Sequence, residues 1–159
     1  MPTKPERILN YMHLKSKCIA HISARLKAQI VDMQALIAAA ENDRNAEQKS
    51  SAGDKYETGR EMIQQEVDKY RSLLSRYQKE LHLVESLGEA TYDTVKLGSL
   101  VRCDQTLYLL LIPFGKLQVD DYEVFVVSPA SPVGNLLLHK KAGDSFQLNG
   151  KTNHILQIL

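Results

Sequence analysis

Ile63–Ala90, IQQEVDKYRSLLSRYQKELHLVESLGEA, is the stretch on which the fold turns. Its apolar residues Ile63, Val67, Tyr70, Leu74, Tyr77, Leu81 and Val84 alternate steps of four and three without a break. That spacing is the period of a helix which must lay one seam against a second helix. The run stops near Gly88, which is expected to occupy a left-handed C-cap position.

Toward the amino terminus, Pro5 to Arg44 contains no glycine and no further proline. Met12, Ile19, Leu26, Met33 and Ala40 fall at one heptad position and Ile8, Ile22 and Leu36 at the other, with Lys15 and Gln29 as polar interruptions that could fix register. Two such segments bury their stripes most simply against each other, antiparallel. Toward the carboxyl terminus the period changes. The runs VKLGSLVRC, TLYLLLIP, YEVFVVSP, SFQLNG and HILQIL read as strands separated by Gly, Pro and Asp-Asp turns. Between the third and fourth, Ser131 is expected to cap a short helix with Pro132 at its first position and Gly143 past its end. The expectation is an α+β protein of two domains. Residues 1–88 form an antiparallel coiled-coil hairpin with an acidic tip near 50–58, and residues 89–159 form a small antiparallel sheet module with one short helix.

With Lys+Arg 20 against Asp+Glu 19, no global field draws this chain to nucleic acid, and DNA binding by the chain itself is not expected. Placement is uneven, however. Lys4, Arg7, Lys15, Lys17, Arg25 and Lys27 crowd the first 27 residues, while acids outnumber bases from Glu41 to Asp68. That basic group could meet RNA or an acidic protein surface, or be a solvated helix face. Cys18 and Cys103 make no CxxC pair and read as buried apolar residues. The five histidines show no ligand spacing. No run reaches the ~20 apolar residues that cross a bilayer, so a cytoplasmic protein without membrane contact is expected.

The tip, SSAGDKYETGRE (Ser50–Glu61), places Asp54 and Glu57 three residues apart. One reading is a capping box, with Asp54 accepting from the first free N–H groups and Glu57 returning the bond. The other is chemical: two carboxylates on one helix face converge on a hard cation, and Mg²⁺ takes one or two protein carboxylates, leaving the rest of its octahedron to water and phosphate. Both remain open at this point. Lys55 and Tyr56 are weaker candidates for a phosphate contact or stacking.

Two stretches carry a resemblance to a known family. GDKYET keeps Gly53, Asp54 and Glu57 at the spacing of the Gly-Asp-x-Ser-Glu-Asn tip of the bacterial Gre transcript-cleavage factors. VVSPASPVGNLLLHKKAGDSF is similar to a C-terminal segment of the same family, with Ser128, Ser131, Pro132, Leu137, Lys140, Gly143 and Asp144 in place. The resemblance spans nearly the whole chain. It implies an FKBP-like second domain that docks on the rim of the secondary channel of bacterial RNA polymerase, with Ser131, Pro132 and Lys140 as candidate contacts. It also implies a coiled coil reaching the active centre, where Asp54 and Glu57 help hold the catalytic Mg²⁺ and orient water against the 3′ end of backtracked nascent RNA. Such a factor is not an enzyme: it activates the nuclease of the polymerase, needs no cofactor in isolation, and is expected to be a monomer.

Tyr56 and Thr58 stand where the family has Ser and Asn, and GREMIQQE lacks the usual Ala-Glu-Tyr. A relative that occupies the channel without stimulating cleavage would keep the same architecture. Two further classes are open. Prolyl isomerases share the FKBP-like module, but their pockets are lined with aromatics, whereas this half has no Trp and only Phe114, Phe125, Phe146, Tyr92, Tyr108 and Tyr122. A coiled-coil clamp would need exposed apolar residues at its tips, and AENDRNAEQKSSAGD offers almost none.

Overall fold

A computed structural model describes residues 4–49, 53–88 and 90–159, with the side chains of residues 4–7, 9, 47–49 and 53–56 outside the description. Two long helices come first: α1 (Lys4–Lys49) and α2 (Gly53–Ser86). Six strands follow, β1 (Leu100–Cys103), β2 (Leu107–Leu110), β3 (Gly115–Val119), β4 (Tyr122–Val127), β5 (Ser145–Leu148) and β6 (Lys151–Ile158), with α3 (Pro132–Leu137) between β4 and β5. Helices first and a small sheet with one short helix second is the fold class read from the periods. Contacts gather the chain into two compact units, one of Met1–Ile22 with Val84–Leu159 and one of Ser23–Leu83. The start of α1 therefore belongs with the sheet.

In the helical unit the α2 seam is as the spacing predicts: Val67 is buried, and Ile63, Tyr70, Leu74, Tyr77 and Leu81 are half-buried. Polar bonds fix the antiparallel direction, because partners move back along α2 as they advance along α1. Arg71 donates to Glu41, and Arg44 Nη1 donates to Gln64 Oε1 at 2.9 Å. Leu36 departs from expectation, being 40% exposed. Ile37 turns inward in its place. The cause is a run of steps of four, Cys18–Ile22–Leu26–Ile30, whose residues are all buried or half-buried. Met33 and Ala40 keep their expected inward places, and the second seam position moves one residue on, to Ile30 and Ile37 in place of Gln29 and Leu36.

The sheet has the order β3-β4-β2-β1-β6-β5. It is antiparallel, as expected, except that β2 and β4 are parallel, Leu107 opposite Val124 and Leu110 opposite Val127. The exception follows from β3. The chain leaves β2, passes over one strand position to form the edge β3, and returns through a hairpin to place β4 in the gap. All four residues of β2 are buried because both faces of the sheet are covered. Val101, Cys103, Tyr108, Leu110, Phe146 and Ile155 pack with Leu137 of α3. On the opposite face lie Leu100, Leu109, Val124 and Val126, and the start of α1 is seated there: the rings of Tyr11 and Tyr122 are 5.8 Å apart, Arg102 lies over Tyr11, and Lys17 pairs with Asp120. Burial pushes both cysteine thiols up to about 11, so Cys18 and Cys103 are inert packing residues.

Two glycine assignments change. α2 ends at Ser86, and Gly88 is not among the glycines with positive φ. α3 is only one and a half turns long and ends on Leu138, whose N–H donates to Gly134 O. Gly143, with φ +94°, sits instead in the turn that leads into β5.

A carboxylate secures the β6 side of the sheet. Asp104 Oδ2 accepts from the backbone N–H of His154 at 2.9 Å and faces its Nδ1 at 3.1 Å. These bonds, the backbone one first, hold the Asp104 carboxyl below its usual range. A depressed carboxylate stabilises the fold above its unfolded pKa of ~3.9, and that contribution disappears as pH falls through the lower folded value. As pH falls below ~4, wild type should therefore lose more stability than Asp104→Asn, as read by urea midpoints at each pH.

Candidate functional site

Asp54 and Glu57 both fall in the first turn of α2, which begins at Gly53. Three residues apart on a helix, they share a face. Glu57 is exposed. The Asp54 side chain lies outside the described residues, as do those of Lys55 and Tyr56, and so does the assignment of Asp54 as a capping residue. This turn closes the helical unit at the end opposite to Ser23 and Leu83, where the chain enters and leaves it. About 30 residues of α2 at ~1.5 Å each separate the two ends by roughly 45 Å. Among the described residues no group of three or more His, Cys, Asp or Glu side chains could hold a metal.

Ser131 and Pro132 do the work their sequence implies. Ser131 is the N-cap of α3, its Oγ accepting from the Gly134 N–H at 3.0 Å, and Pro132 opens the helix with φ already suited to it. The same hydroxyl donates to Ser128 O at 2.7 Å, and the Ser131 N–H donates to that oxygen at 3.0 Å. The turn before α3 is thereby locked, leaving Pro132 exposed on its surface. Lys140 is half-buried, and its carbonyl accepts from the Val95 N–H at 2.8 Å. The structure brings Ser131 and Pro132 together, while Lys140 belongs to the loop beyond α3 and is tied to a different segment.

Lys15 was legible only as a polar break in a seam. It is 5% exposed, and its Nζ donates to the main-chain oxygens of Ala90 at 2.9 Å and Leu159 at 3.2 Å, with the Tyr92 ring 5.1 Å away. It engages the sheet unit and not the facing helix. Burial lowers its pKa, because desolvation disfavours the ammonium. The side chain borders a cavity of about 400 Å³ whose other walls include Met12, Ile19, Leu87 and Thr91. Lys15→Met keeps the stem but leaves both acceptors short of a donor, and should cost about 1–2 kcal/mol. Lys15→Ala also loses the packed stem and should cost about 2–4 kcal/mol, the difference being read by urea denaturation.

No protein-family model matches the chain, and no curated protein matches it. Among solved structures it is similar to the transcription factor Gfh1 at 21% identity, over 86% of this chain and 92% of that one, with a TM-score of 0.37. It is similar to GreA factor homolog 1 of Thermus thermophilus at 20% identity, over 86% and 94% of the two chains, with a TM-score of 0.34. Gfh1 of Thermus aquaticus matches at 20% identity over 85% and 92%, with a TM-score of 0.32. The chain is similar to Gre-type factors. No helix among the described residues is long and apolar enough to cross a membrane.

Proposed function

We propose that this chain is a Gre-like factor that enters the secondary channel of bacterial RNA polymerase and stimulates cleavage of backtracked nascent RNA. The observation that carries the reading is the Gly53-Asp54-x-x-Glu57 spacing in the first turn of α2, at the closed end of a helical hairpin, with Glu57 exposed. Carboxylates in the body of a folded domain could not approach a reaction centre recessed in another molecule. Carboxylates at the end of a two-helix hairpin can. A catalytic Mg²⁺ supplies charge stabilisation and an activated water in phosphodiester hydrolysis. Asp54 and Glu57 would complete its ligand set and accept hydrogen bonds from the water, while the sheet unit holds the polymerase rim through the Ser131–Pro132 turn and Lys140. The chain then acts in trans as a ligand donor and has no hydrolytic activity alone. Cytoplasmic location and a monomeric state belong to the same proposal.

The second reading, a channel-occupying regulator without cleavage, is favoured by Tyr56 and Thr58, which replace the Ser and Asn around the second acid of the family motif. An assay on stalled, backtracked polymerase separates the two. Wild type should release short 3′ RNA fragments and Asp54→Asn and Glu57→Gln should not. Polymerase inhibition by wild type with no fragments would leave the regulator as the correct reading.

A further inference from the structure

A groove of about 770 Å³ opens on the sheet unit, with Ile8, Tyr92, Asp93, Arg102, Leu156 and Gln157 in its walls. A β-bulge shapes it. Arg102 of β1 lies opposite Gln157 of β6, while the next residue, Cys103, lies opposite Ile155, so Leu156 is an extra residue with no partner across the ladder. Leu156 is 44% exposed, the one large apolar side chain so open to solvent among the described residues of the sheet unit. Together with the half-buried Ile8 and Tyr92 it gives the groove an apolar wall that faces water. Two charged groups share the same groove. The half-buried Arg102 is braced by the Tyr11 ring, 5.6 Å from guanidinium carbon to centroid, and Asp93 is exposed. Among the described residues neither of them is in an ion pair, with each other or with any third group.

Opposite charges on one partly apolar groove, each without a counterion, call for a ligand that carries both signs. A nucleic acid brings only phosphate and would be repelled by Asp93, and a purely anionic small molecule would leave Asp93 unanswered. The geometry points to a binding site for a small zwitterion with an apolar body, namely an apolar amino acid or a short peptide with free ends. Its carboxylate would sit on the Arg102 guanidinium, whose planar fork matches two carboxylate oxygens, and its ammonium on Asp93. Its apolar side chain would lie against Leu156 and Ile8, as is usual in pockets where a few polar groups fix orientation and apolar walls supply affinity. Gln157, directly across the ladder from Arg102 and half-buried, offers an amide to the remaining polar atoms. The site goes beyond the polymerase reading and uses none of the residues on which that reading rests, so the two stand or fall separately.

The test is isothermal titration of the full chain with two probes, leucine and the tripeptide Leu-Ala-Leu. Saturable binding of at least one is expected, and whichever binds more tightly tells a free amino acid from a peptide as the ligand class. On the wild-type chain, acetylating the amino end of the bound probe or amidating its carboxyl end should each weaken binding about fivefold, the loss of one partly exposed ion pair. These two comparisons need no variant, so they hold even if a substitution harms folding. Asp93→Asn should weaken the free probe by a similar factor and leave the acetylated probe unchanged. Arg102→Gln should weaken the free probe likewise and leave the amidated probe unchanged, while Leu156→Ser should weaken every form. The proposal is overturned by an absence of saturable binding of both probes, by capped probes that bind as tightly as free ones, or by displacement of the bound probe by single-stranded RNA.

Discussion

Gly134→Ala should destabilise the sheet unit by about 3 kcal/mol or more, although it replaces a glycine in the middle of a helix. Elsewhere the same change gains up to ~1 kcal/mol of helix propensity. Here a Cβ would lie 2.0 Å from Ser128 O, 2.9 Å from Ser128 C and 3.0 Å from Pro129 Cα, all main-chain atoms. The oxygen cannot retreat cheaply, because it accepts from both the N–H and the hydroxyl of Ser131. Moving it would break the cap of α3, and moving α3 would pull Leu137 from the core. Amide exchange of β1 and β2 under urea would report the loss, and an unchanged or higher midpoint would contradict the close approach.

Stimulated cleavage should fall at least about a hundredfold in Asp54→Asn and in Glu57→Gln, the scale on which loss of one charge-stabilising group at a reaction centre is usually felt. Asparagine matches aspartate in size and keeps an acceptor oxygen, so Asp54→Asn removes a negative charge with little change of shape. Unfolding midpoints should stay within ~0.5 kcal/mol of wild type, which separates lost chemistry from lost structure. The double variant should be little worse than either single one, because ligands to one ion act as a unit and their effects do not add. Polymerase binding should be retained in all three. Cleavage at wild-type rates in both single variants would remove the acids from the mechanism.

How far residues announce their places depended on whether the deciding force was local. The α2 seam was legible because each of its residues from Ile63 to Leu81 answers to one period, and burial follows that period. Leu36 was misplaced because a heptad extrapolated from Met12 and Ile19 does not anticipate the run of fours through Ile22 and Leu26. β3 escaped notice altogether. Gly115, Lys116 and Gln118 are exposed, and what makes them a strand is pairing with β4, a partner beyond the turn. The parallel contact of β2 with β4 was invisible for a similar reason, since strand direction is set by where the chain returns. Lys15 looked like a register device in a coil because its partners, Ala90 and Leu159, lie 75 and 144 residues away. The Ser131 cap was legible from four consecutive residues, as was the helix start that carries Asp54 and Glu57.

The sheet unit draws its residues from both ends of the chain, Met1–Ile22 and Val84–Leu159, with the helical unit inserted between. Such a layout makes the hairpin a cassette: adding or deleting matched heptads in Ser23–Leu83 would change its length while the residues of the sheet unit stay as they are, so the two units can diverge independently over evolutionary time.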